Sequence, residues 1–181
     1  MMKEIVINTD GVSMEEEYDS AIRVKALMVN ENNEILLGYA FNTYQFIGGH
    51  INKDEDLFEG LIREIREETG IEIPKSEYTN PFMKIVHYSK NYRNSGKARE
   101  NIIYYFDIPW NKSVNINNIE YDEWEEKGKF EVRKVKLDDL EDLLVKHISD
   151  NELNPLIVDE MLDVLKEYKY RKKYSEENVI G

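Results

Sequence analysis

GHINKDEDLFEGLIREIREETGI, residues 49–71, is a glycine-led loop that runs into a helix carrying a cluster of glutamates. Asp56 and Glu59 open that helix: the aspartate side chain accepts orphan N–H groups of the first turn, and the glutamate reaches back to the start. Gly70 supplies the stop. At about 100° of rotation per residue, Phe58, Leu61, Ile62, Ile65 and Thr69 form one stripe suited to a core. Glu64, Glu67 and Glu68 lie side by side along the edge of that stripe.

Like charges one turn apart repel by a few tenths of a kcal/mol per pair, so the spacing of Glu64 and Glu68, with Glu67 adjacent, calls for a compensating charge. Arg63 stands four residues before Glu67 and can pair with it. The larger compensation expected is a divalent cation, because hard ions such as Mg²⁺ take oxygen ligands and leave room for water and substrate phosphates. A solvated acidic helix face is the plainer alternative, but the order of residues is too particular for it.

The stretch resembles the Nudix box, G-x5-E-x7-R-E-U-x-E-E-x-G-U with U aliphatic, and meets each fixed position with Gly49, Glu55, Arg63, Glu64, Ile65, Glu67, Glu68, Gly70 and Ile71. The resemblance implies an α/β fold, a Nudix-type α/β/α sandwich with a mixed β-sheet. It also implies Mg²⁺- or Mn²⁺-dependent hydrolysis of a nucleoside diphosphate linked to another moiety, such as a nucleotide, nucleotide sugar or dinucleotide. Within it, Glu64, Glu67 and Glu68 take the role of metal ligands, Arg63 that of their orienting partner, and Gly48 with Gly49 the backbone of the loop beneath. Ile47 stands where the family has proline, which removes a preset φ but no chemical group. Competing readings are a non-catalytic nucleotide sensor with the same fold and an isoprenoid diphosphate isomerase; the full glutamate set speaks against the second. A homodimer is compatible with the resemblance.

At 181 residues the chain suits one domain. The division expected is an N-terminal extension with a short strand (1–20), a catalytic domain (21–150) and a C-terminal helix packed on it (151–181). A net charge of −13 argues against stable binding to nucleic-acid backbones or anionic membranes. The absence of cysteine excludes disulfides, thiolate metal sites and cysteine nucleophiles. No apolar run approaches the ~20 residues of a membrane span, and no signal core follows the amino terminus. These readings fit a cytoplasmic enzyme.

Strands are expected at 4–8, 21–30, 34–38, 82–89, 100–108 and 130–137, with a hairpin at Asn32-Asn33 and extended chain at 71–73. Helices are expected from Asp138-Asp139 to His147 and from Asn154-Pro155 onward. Tyr39, Phe41, Tyr44 and Phe46 crowd the approach to the glycines, where Tyr44 or Phe46 could stack on a nucleobase. The loop at 90–100 gathers Lys90, Arg93, Lys97 and Arg99, of which Arg93 and Arg99 suit a phosphate left uncovered by metal. The polar run at 111–130 reads as a loop; family resemblance places a further metal ligand or general base there, with Glu126 and Glu123 the candidates. His87 reads as a structural histidine, and His50 is held to the same caution.

Overall fold

The computed structural model describes the chain except Met14, Glu16, Tyr78, Arg93, Asn94, 149–155 and 178–181. Its strands are β1 (Lys3–Ile7), β2 (Tyr18–Val29), β3 (Glu34–Ala40), β4 (Thr43–Phe46), β5 (Met83–Ser89), β6 (Ala98–Pro109) and β7 (Glu131–Lys136). Its helices are α1 (Leu57–Thr69), α2 (Glu123–Gly128), α3 (Leu140–Lys146) and α4 (Ile157–Glu177). The seven strands form one mixed sheet in the order β1-β5-β6-β2-β3-β4, with β7 pairing β3. β1 with β5 and β2 with β6 are parallel; the remaining pairs are antiparallel. No helix among the described residues is long and apolar enough to cross a membrane.

The sheet is covered on both faces, which is why residues 26–28 of β2 are continuously apolar and all fully buried. Val24, Ala26 and Met28 point to the α1 side and pack with Leu61, Ile65, Phe106 and Ile108. Leu27 points the other way, into a core with Leu140, Leu144, Met161, Leu165 and Tyr168 from α3 and α4. The layers are therefore helix, sheet, helix. Leu61, Ile65 and Thr69 are wholly buried, as the helical stripe requires. Ile71–Ile73 is not a strand. The proposed helix opening at Asn154-Pro155 lies outside the described residues.

Two local features depart from the expectations and both shape the site. Phe41 and Asn42 have φ of 49° and 55°, the left-handed pair that a tight β3–β4 hairpin demands. Tyr44 and Phe46 thereby belong to a strand whose side chains enter the core, at 8% and 2% exposure. They face the interior and not a pocket mouth. The 111–130 run is not wholly loop: Asp122 caps α2 with its side chain on the Glu125 N–H, and Glu125 reaches back to the Asp122 N–H, both at 2.7 Å.

Candidate active site

β3 pairs with β2 only at Met28 and Val29, so the upstream edge of β2 needs another partner. The chain after β4 supplies it: Ala26 donates to Ile47 O at 2.8 Å, Val24 to Gly49 O at 3.0 Å, and Ile51 to Ile22 O at 3.0 Å. The glycines are what allow this close approach. A Cβ on Gly48, whose φ is +122°, would stand 2.2 Å from Val24 O, and one on Gly49 would stand 2.5 Å from a Glu64 carboxylate oxygen. Any larger residue at 49 would displace the first of the clustered glutamates.

α1 lies beneath this loop, and Arg63 organises its acidic side. Its Nε and Nη2 grip both oxygens of Glu55 at 2.6 and 2.9 Å, and its Nη1 reaches Glu64 at 2.8 Å and Glu67 at 2.9 Å. Nη2 also donates to His50 O at 2.8 Å, tying the helix to the loop. That bidentate hold brings the Glu55 carboxyl down to about 2, and Glu55 in turn raises the guanidinium pKa. Glu68 is buried at 3% exposure and accepts the Gly48 N–H at 2.7 Å. Burial pushes the carboxyls of Glu68 and Glu64 above the ordinary carboxylate range, against the pull of Lys25 on the first and Arg63 on the second.

Two residues that the sequence reading passed over join this cluster. Glu125, at the third position of α2, comes within side-chain hydrogen-bonding reach of Glu68 and feels Glu64; its carboxyl is raised by burial and by the charges of Asp122 and Glu64. Glu123 and Glu126 are exposed instead. The signal for Glu125 was present: Asp122-x-x-Glu125 repeats the capping pattern of Asp56-x-x-Glu59, and a cap fixes the glutamate it contains. The second is Lys25 of β2, whose ammonium donates to Phe46 O at 2.9 Å and to Gly48 O.

Among the described residues no three His, Asp or Glu side chains stand in an arrangement that could hold a metal ion. Arg63 draws Glu64 and Glu67 to itself, and Glu68 turns to the Gly48 N–H. The donor set nevertheless suits a hard divalent ion. Glu64, Glu68 and Glu125 are all raised, chiefly by burial, and the charge of Glu64 bears on both of the others; carboxylates packed so closely are held together by a shared proton or by a cation.

The other sequence-designated residues lie elsewhere. Arg99 pairs across from Asp19 on β2, four residues from Arg23, which bridges to His50; that is about 13 Å along the strand. Its guanidinium lies over the Tyr92 ring at 4.5 Å, and its buried Nε has no hydrogen-bond partner among the described residues. Arg93 is outside the described residues. His87 pairs with Glu160 of α4 at 3.0 Å, a structural link between sheet and helix. His50 accepts from Arg23 Nε at 3.0 Å.

A model of the NUDIX domain matches residues 19–159. Among solved structures, a MutT protein from Methanosarcina mazei shares 22% identity at a TM-score of 0.54, over 84% of this chain and 97% of that one. A NUDIX hydrolase from Nitrosomonas europaea shares 13% at 0.54, over 85% and 91%. An Ap4A hydrolase binary complex from C. elegans shares 16% at 0.52, over 84% and 98%. Such identities speak for the fold alone. No curated protein matches.

Proposed function

The chain belongs to the Nudix family and is a Nudix hydrolase, and from that premise we propose that it is a divalent-metal-dependent pyrophosphohydrolase of a nucleoside diphosphate linked to another moiety. The observation that carries the reading is that Glu64 and Glu68 lie against the Gly48–Gly49 loop while Arg63 holds Glu67 beside Glu64, with Glu125 reaching Glu68 from a separate helix. Glu64, Glu67 and Glu68 would hold Mg²⁺ or Mn²⁺, which when bound neutralises a pyrophosphate and makes a water nucleophilic.

The protein's own tasks are then positioning and proton transfer. Arg63 fixes the rotamers of Glu64 and Glu67 and keeps them apart from Glu68, the role a supporting hydrogen bond plays for any ligand set. The Glu125 carboxylate would accept the proton of the attacking water, a role supported by its bordering Glu68 and Glu64 without belonging to α1. Little covalent chemistry is asked of the chain, so preorganised charge supplies most of the rate. Cytoplasmic residence belongs to the same reading.

The test is a panel of nucleoside triphosphates, ADP-ribose, dinucleotide cofactors, dinucleoside polyphosphates and capped RNA, assayed with Mg²⁺ for phosphate, pyrophosphate or nucleotide release. Glu64→Gln and Glu68→Gln are expected to lower the rate on the best substrate by at least 100-fold while the protein stays folded. Near wild-type turnover by either variant would remove that glutamate from the machinery, and no hydrolysis of any panel member by the wild type would overturn the reading.

A further inference from the structure

Lys25 is a half-buried charged side chain on a central strand of the sheet, immediately before the fully buried apolar run 26–28. Placing an ammonium there has a price unless it is paired. Two of its three donors are used on backbone carbonyls, Phe46 O and Gly48 O, which flank the turn into the glycine loop. The next peptide group along completes a chain: the Gly48 N–H faces the Glu68 carboxylate. Lys25 from β2 and Glu68 from α1 thus hold neighbouring peptide groups of the same loop. Through space the ammonium is attracted by Glu68, Glu64 and Glu160, with Arg23 its repelling neighbour.

We propose that Lys25 is a positioning residue that serves as the resident counter-charge of the glutamate cluster, tethering the glycine loop and partly neutralising Glu68 and Glu64 in the metal-free protein. The inference rests on the metal-site reading above but makes a claim of its own. A fixed cation on the loop beside the cluster stabilises the empty fold and, by the same Coulomb repulsion, weakens the hold on a second cation. A site so built binds metal reversibly and does not depend on it to fold.

Two measurements test this, neither of them turnover. The first is a double-mutant cycle of thermal melting in EDTA with wild type, Lys25→Met, Glu68→Gln and the double variant. Lys25→Met is expected to lower Tm by several degrees when Glu68 is a carboxylate and by at most one degree when residue 68 is glutamine; equal losses in both backgrounds overturn the proposal. The second is Mn²⁺ affinity by electron paramagnetic resonance of the free ion. Lys25→Met is expected to bind Mn²⁺ at least threefold more tightly, with Lys25→Arg close to wild type; unchanged or weaker binding by Lys25→Met overturns it. Should Lys25→Met not fold, Lys25→Gln, which keeps N–H donors for the carbonyls and drops the charge, replaces it in both measurements with the same expectations. A wild type that binds no Mn²⁺ would strike down the metal-site reading, and the EDTA cycle would still decide the role of Lys25.

Discussion

Arg63 and Glu55 show how one pair of residues sets the stage for the others, because a guanidinium clamped by Glu55 has a fixed face left for Glu64 and Glu67. The Glu55 carboxyl falls from its ordinary 4.5 to about 2 through the Arg63 hydrogen bond. A depressed carboxyl stabilises the fold above its unfolded pKa, and that contribution drains away as pH falls through the folded value. The stability lost on Glu55→Gln, read from urea midpoints, is therefore expected to be constant above pH ~5 and to shrink steadily from about 4.5 towards 2. A difference still at its neutral-pH size at pH 3 would show that the pair carries no such linkage. The neighbouring choice between glutamates is equally local. Glu125→Gln is expected to lower kcat by about 100-fold or more, in the range of a lost general base, and Glu126→Gln, at an exposed position, to leave it within about twofold. The reverse order of the two variants would return the role to Glu126.

At the level of elements, the site depends on α2 being held at the right place. Six residues with none buried cannot form a helix by their own propensity. α2 persists because Asp122 caps it and because Gly128 O accepts the Phe41 N–H at 3.1 Å, joining its end to the β3–β4 turn. Asp122→Ala is expected to cost about 1 kcal/mol as a lost cap and also to lower kcat at least tenfold by freeing Glu125. Glu123→Ala, in the same turn, should do neither; a stability loss on Asp122→Ala with intact kcat would separate the cap from the chemistry. These dependencies explain what the sequence could disclose. α1 was legible to its caps because its signals are local: an Asp-x-x-Glu opening, an apolar stripe of helical period and a closing glycine. The same opening at Asp122 was hidden in a polar run without a stripe. The Phe41–Asn42 hairpin lacks the usual glycine, so its aromatics read as a pocket wall when alternation sends Tyr44 and Phe46 into the core. The pairing of Ile47, Gly49 and Ile51 along β2, and with it the place of Lys25, arises from contacts more than twenty residues apart. No periodicity records those.

Across the whole molecule the excess of 37 acidic over 24 basic residues is a diffuse self-repulsion, to which the buried approach of Glu64 and Glu68 beneath the glycine loop adds a local one. Salt screens the diffuse part, over a Debye length of about 8 Å at physiological ionic strength. A divalent ion captured by the glutamates acts differently, since binding to the folded chain alone stabilises it by mass action. At ten times the dissociation constant the gain is about 1.4 kcal/mol, which for a chain of this size raises Tm by about 3–5 °C. The two contributions separate by experiment. Melts in Mg²⁺ and in NaCl of matched ionic strength should differ by that increment for the wild type. For a Glu64→Gln/Glu68→Gln variant the Mg²⁺ and NaCl curves should coincide, because only screening remains once two carboxylates are gone. If Mg²⁺ raises the Tm of wild type and double variant alike, the ion acts on the diffuse charge and α1 carries a solvated acidic face. If it raises only the wild type, the repulsion written into Glu64, Glu67 and Glu68 is the driving force that draws the metal to this one end of the helix.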